Sequence, residues 1–138
     1  DVDDGIHDRD LTDADAVGRF RFNPNGVDVA RVFVLTSEHS CSASELLVVG
    51  LQAYLPVVTI GEVTCGKPLG SRLVHFGNQF FRVISFRVSD ARGQGFYNEG
   101  LVPHCFKGDD LKQSFKVGTR DDPVVRIAQN YMGSGQCE

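Results

Sequence analysis

These 138 residues contain no tryptophan, a single methionine and no C-x-x-C pair. Zinc sites draw on closely spaced ligand pairs, and the nearest His–Cys neighbours, His104 and Cys105, are adjacent, which is poor chelating geometry. No run approaches the ~18 apolar residues of a membrane-spanning helix. Basic residues form no stripe of the kind that tracks a nucleic-acid backbone. Charge is nonetheless unevenly placed. Residues 1–16 hold seven Asp and one Arg, a balance of −6, which leaves +2 of the overall −4 on the remaining 122 residues. The acidic opening reads as a solvated lead-in. It lacks the oxygen-ligand spacing and the twelfth-place Glu of a calcium loop.

One further absence decides a motif. "GEVTCGKPLG", residues 61–70, carries Gly61, Gly66 and Lys67 at the G-x-x-x-x-G-K spacing of a phosphate-binding loop. That loop needs a Ser or Thr after the lysine, to ligate magnesium, and a helix whose N–H groups face the phosphates. Pro68 stands there instead, and the residues after it read as turn and strand. Nucleotide binding is set aside, and Lys67 needs another explanation.

What is present is an ordinary globular composition, 41% hydrophobic and 23% charged, in a chain long enough for one domain with its own core. "ARVFVLTS" (30–37) and "VVTIG" (57–61) are apolar, β-branched runs of buried-strand type. Between them Ala43, Leu46, Leu47, Gly50 and Tyr54 recur at helical spacing, and this face is expected to be the buried one. Strand, helix and strand within about thirty residues predict a βαβ crossover. "SRLVHF" and "QFFRVISFRVSD" meet at Gly77-Asn78, a hairpin signal. "DDPVVRIAQNYM" (121–132) predicts a closing helix, with Asp and Pro at its start and Val124, Ile127, Ala128 and Tyr131 on one side. "RFRFNPNG" is a short alternating piece closed by a turn, and the "GSGQCE" tail is loose unless Cys137 ties it down. The class is α/β.

Ser42 opens the first helix with Glu45 three residues on. On local spacing this is a capping box, worth roughly 1 kcal/mol. It is also where a serine nucleophile would be held rigidly, with backbone N–H groups at hand for an oxyanion. A serine nucleophile needs a base. Lys67 follows the next strand of the same crossover, and loops after neighbouring parallel strands share one sheet edge.

"SCSASELLVVGLQAYLPVVTIGEVTCGKPLG" resembles the catalytic core of the tail-specific, or carboxyl-terminal processing, serine peptidases. That family shows S-A-[AS]-E at a helix start and then G-E-x-T-x-G-K; the interval of 25 residues from Ser42 to Lys67 matches. "YNEGLVPHC" (97–105) is similar to a downstream family segment, with His104 where Asp is usual. The resemblance covers residues 31–132. It implies a ClpP/crotonase-like layered α/β fold, present as a partial domain. It implies a serine endopeptidase acting near the C-termini of polypeptides, with Ser42 as nucleophile, Lys67 as base, the Ala43 backbone N–H as oxyanion donor and Glu45 and Ser71 in support. Ser71 stands where many members have Gln. As the base, Lys67 is expected to be buried in the apolar surroundings of "VVTIG" and "LVHF". No cofactor or metal is implied. The family's upstream D-L-R-x-N-x-G-G segment, which completes the oxyanion hole, and its PDZ module have no match here. They are expected as partners from an upstream part of the same peptidase. The domain reading is therefore a lead-in over 1–30 and a C-terminal catalytic portion over 31–138. A non-catalytic ligand-binding module of the same fold, like the retinoid-binding repeats, and a Ser–Lys amidase are the alternatives.

Cys41, Cys65, Cys105 and Cys137 allow three pairings, and free buried thiols remain a fourth reading. Disulfides would place the protein outside the cytoplasm, periplasmic or secreted, and the resemblance adds a bacterial source. The expected bond is Cys65–Cys105, tying the Lys67 turn to "GLVPHC". The competing set is Cys41–Cys65 with Cys105–Cys137.

Overall fold

The computed structural model describes residues 23–93, 98–108 and 115–138. The acidic opening and the alternating piece before Asn23 lie outside them. Strand β1 (Val32–Thr36), helix α1 (Ala43–Gln52) and strand β2 (Val57–Gly61) form the expected crossover. β1 and β2 pair in parallel, from Val32 opposite Val57 to Thr36 opposite Gly61. A two-residue strand β5 (Cys105–Phe106) adds to the other side of β2, giving the order β1-β2-β5. Being central, β2 is buried throughout. β1 is only partly so, with Leu35 42% exposed, because it edges this sheet among the described residues. The expectation of a strand covered on both faces is corrected for β1.

Between β2 and β5 run the antiparallel strands β3 (Leu69–Phe76) and β4 (Gln79–Arg87), a separate two-stranded sheet. Gly77, at φ 58°, turns the chain between them as the Gly77-Asn78 signal predicts. The closing helix α2 (Pro123–Ser134) starts on Asp122, whose carboxylate accepts from the Val124 and Gly118 N–H groups at 2.9 Å each. Its apolar side is the expected one. Ala128 is buried against Val58, Ile60 and Cys105, and Val124, Ile127 and Tyr131 pack around that cluster with Phe33. Side chains alternate along a strand, so Val57 and Thr59 face the opposite layer, on the side of α1.

Two expectations are overturned. The buried face of α1 is Glu45, Val48 and Val49, while Leu46, Leu47 and Tyr54 are exposed. Four consecutive apolar residues, Leu46 to Val49, let the helix present either side to a core, and the hydrogen bonds made by Glu45 select the side. The disulfides are Cys41–Cys65 and Cys105–Cys137, each with Cα atoms 5.3 Å apart, and not Cys65–Cys105. Cys105 sits in the sheet opposite Ile60, inside the cluster that α2 covers. The thiol within its reach is Cys137, just beyond α2, which also fastens the C-terminal tail. Cys65 lies instead in the turn after β2, beside the loop after β1 that carries Cys41.

Candidate active site

The loop after β1 ends in a sharp elbow at Ser42. Its φ of 54° and ψ of −106° make it the one non-glycine residue with positive φ among the described residues. Such a backbone costs on the order of 1–3 kcal/mol and persists only where its surroundings over-determine it. Those surroundings are Glu45. The Ser42 N–H donates to Glu45 Oε2 at 2.9 Å, completing the reach-back half of the capping box.

Glu45 does more than cap. Fully buried, at 0% exposed, it accepts from the Thr64 hydroxyl, from the Gly66 N–H at 2.7 Å and from the Lys67 N–H at 2.8 Å. Burial alone would raise its pKa. The donors, led by Thr64 and followed by Lys67, Gly66 and Ser42, outweigh that and hold the carboxyl below its ordinary 4.5. The G-K turn is thus an anion-binding nest, and the anion is a side chain of the same chain. This explains the phosphate-loop spacing: the N–H groups that would face a phosphate are occupied by a carboxylate.

Further ties join the elbow to the turn, and the turn to the segment behind it. The Cys65 N–H donates to the Ser40 carbonyl at 3.1 Å, and the Cys41–Cys65 bond spans the same two loops. Thr64 also accepts from the Leu101 N–H at 2.7 Å and donates its own N–H to the Leu101 carbonyl. A side chain on Gly66 (φ 75°) would put its β-carbon 2.3 Å from the Asn98 carbonyl oxygen, so the turn and the Asn98–Leu101 segment touch backbone to backbone. Thr64 is the residue that sequence reasoning missed. Its signal was the Thr of the G-E-x-T-x-G-K motif, read only as spacing.

Ser42 and Lys67 line one shallow cleft of ≈ 150 Å³ together with Ala43 and Leu46 of α1. Its other wall is the base of the hairpin: Leu69, Gly70, Phe86 and Val88. Ser42 is half-buried, and Ala43 and Lys67 are exposed. The expectation that Lys67 is buried among the apolar residues of β2 and β3 is corrected: its turn leaves β2 outward, with Pro68 buried in its place. Ser71 lies past a bulge in β3, opposite Ile84, and is not part of the cleft lining. His104 is outside the cleft too. Its Nδ1 accepts from the Thr59 N–H at 3.1 Å, extending the β2–β5 pairing by one side-chain bond. No group of three or more His, Cys, Asp or Glu side chains suited to a metal occurs among the described residues. No described helix is long and apolar enough to cross a membrane.

The sequence model of peptidase family S41 matches residues 10–105. The chain belongs to peptidase family S41. A crystal structure named for an S41 protease from Bacteroides fragilis NCTC 9343 is similar over 78% of this chain, with a TM-score of 0.70 and 22% identity. At that identity the likeness is one of fold, a mixed α/β arrangement with parallel and antiparallel sheets. The match covers 28% of the Bacteroides chain, so the sequence described spans a little over a quarter of it. No curated protein matches the sequence. The family match spans both the Ser42 elbow and the Lys67 turn.

Proposed function

We propose that this chain carries the catalytic corner of a serine endopeptidase that cuts polypeptides near their C-termini, with Ser42 as nucleophile and Lys67 as general base. The observation that carries the reading is the strained Ser42 backbone, tied through one buried carboxylate to the turn that presents Lys67. A backbone outlier on a strand-to-helix elbow, beside an amine in one cleft, favours a nucleophile over a plain helix cap, which needs neither.

In the proposed reaction, neutral Lys67 Nζ takes the proton from Ser42 Oγ as that oxygen bonds to the scissile carbonyl carbon. The Ala43 N–H, at the first helical position and so without an intrahelical acceptor, donates to the developing oxyanion. The tetrahedral species collapses, the C–N bond breaks, and Lys67 returns the proton to the leaving amine. Water, deprotonated by Lys67, then hydrolyses the acyl-serine. A second oxyanion donor, from an upstream part of the same peptidase, completes the hole. Covering of the cleft by that part or by bound polypeptide would exclude water from the Ser42–Lys67 pair. Two disulfides support an extracytoplasmic site of action, and the family resemblance supports a bacterial periplasm or exterior.

A serine-directed fluorophosphonate probe on the complete protein tests the reading. Labelling should vanish in Ser42→Ala, and casein cleavage should fall at least ~1000-fold in both Ser42→Ala and Lys67→Ala. Near-wild-type turnover in Lys67→Ala would reject the dyad.

A further inference from the structure

Apart from Ser42 and Lys67, every side chain that lines the cleft is apolar. Ala43 and Leu46 stand one helical turn apart on α1, and Leu69, Phe86 and Val88 come from the hairpin base. That base is anchored where it leaves the site, the Val88 N–H donating to the Pro68 carbonyl at 3.0 Å. Phe86 is held by a specific absence. A β-carbon on Gly70, its cross-strand partner, would fall 1.9 Å from Phe86 Cε2 and 2.0 Å from Cζ. The ring therefore lies flat on the Gly70 backbone, in space that any other residue there would fill. So seated, and 39% exposed, it stands as one wall of the cleft.

We propose that this cleft is the subsite for the substrate side chain beside the attacked carbonyl, that it selects a small or medium apolar residue, and that Phe86 sets its depth. The proposal rests on Ser42 being the nucleophile. For attack, the carbonyl carbon comes to about 3–3.5 Å from Ser42 Oγ. The side chain one bond away from that carbonyl is then within reach of walls that Ser42 itself adjoins. A polar or acidic side chain would lose its water against these apolar walls, which offer no hydrogen-bond partner in exchange. An apolar one replaces water at no such cost, up to the size the ring permits. In a hydrophobic pocket one methylene is worth about 10–200-fold in kcat/KM.

Two substitutions move the wall in opposite directions. Phe86→Ala opens the cleft over Gly70, and Leu46→Phe narrows it from the helix, at a position 39% exposed where a larger ring is sterically tolerated. The complete protein would be given synthetic peptides that differ only in the residue bearing the cleaved carbonyl: Ala, Val, Leu, Phe, Asp or Lys. The wild type should cut after Ala or Val in preference to Phe, and after Asp least. Phe86→Ala should raise the Phe-to-Ala ratio of kcat/KM by about 10-fold, and Leu46→Phe should lower the Leu-to-Ala ratio. A general fall in rate with unchanged ratios in both variants would overturn the subsite, as would equal cleavage after Asp and Val by the wild type. Fluorophosphonate labelling of wild type against Ser42→Ala is read in parallel. Labelled enzyme with unmoved ratios rejects the subsite alone, whereas absent labelling rejects the nucleophile and the subsite with it.

Discussion

The corner around Glu45 and the β3–β4 hairpin invert the usual rule of burial. The corner is polar, yet its central carboxylate is wholly enclosed and Thr64 nearly so. The hairpin is rich in large apolar side chains, yet Leu73, Phe76, Phe80 and Ile84 are each at least 60% exposed. A carboxylate with four donors loses little by leaving water, because each lost water bond is replaced. Among the described residues the apolar ribbon, two strands wide, has no further layer to bury itself against, and even Phe86 at its base, set over Gly70, is 39% exposed. Partners, rather than polarity, decide which part is rigid. The corner is held by several independent ties to residues far apart in sequence, and the hairpin by its own ladder.

The sharpest way to break this contrast is to remove the carboxylate. Glu45→Gln leaves an amide facing N–H groups of Gly66, Lys67 and Ser42, and should cost about 4 kcal/mol in urea unfolding. It should also slow fluorophosphonate labelling of Ser42 more than it weakens peptide binding. The same substitution tests the pH dependence. The folded-state pKa of Glu45 is lowered, so its contribution is complete above about 4.5 and is lost as pH falls through the lowered value. The acid limb of the stability profile should therefore be shallower in Glu45→Gln than in the wild type.

Next in size is the Cys41–Cys65 bond, which closes a separation of 24 residues. Replacing both cysteines by Ser should cost about 3 kcal/mol in the loop-entropy account. Since this bond and Glu45 restrain the same two loops, the combined variant should depart from additivity by more than about 0.5 kcal/mol. Additive losses would mean that the two ties act on separate parts of the corner.

Ser42 offers a finer test. Ser42→Ala and Ser42→Gly should both be inactive, but glycine accepts φ 54° freely, so the glycine variant should be more stable than the alanine one by about 1 kcal/mol. Equal stabilities would show that the elbow stores no strain. The smallest effect belongs to the hairpin tip: Phe76→Ser, at a side chain 71% exposed, should change stability by less than about 0.5 kcal/mol.

The parts legible in the sequence were those whose determinants are local. Two β-branched runs, the Gly77-Asn78 turn and the Asp122-Pro123 start of α2 each specify their element within a few residues. That Ser42 and Lys67 line one cleft was legible because parallel strands bring their following loops to one edge, and because the family motif spans both. The buried side of α1 was not, since Leu46, Leu47, Val48 and Val49 satisfy either choice and the deciding partners are residues 64–67. Lys67 was misjudged for a related reason: an apolar strand before it says nothing about which way the turn points. The disulfides carried an overlooked cue. Cys41 lies five residues beyond the end of β1 and Cys65 four beyond the end of β2, so the crossover that aligns Ser42 with Lys67 also aligns the two thiols.

The parallel register of β1 and β2 gives the 25-residue interval between Ser42 and Lys67 a different meaning. The distance between the two loops is fixed by the lateral spacing of adjacent strands, about 4.8 Å, and by ties that stay within residues 40–45 and 64–67. Everything from Val48 to Pro56 is return path. The interval is thus a length of tether and not a dimension of the site. One more turn of helix, inserted after Gln52 and answered by a matching length of chain before Val57, would lengthen the numbering while leaving every contact of Glu45 in place. An insertion of one residue between Thr36 and Ser42, or between Gly61 and Lys67, would leave the tether alone and dismantle the corner.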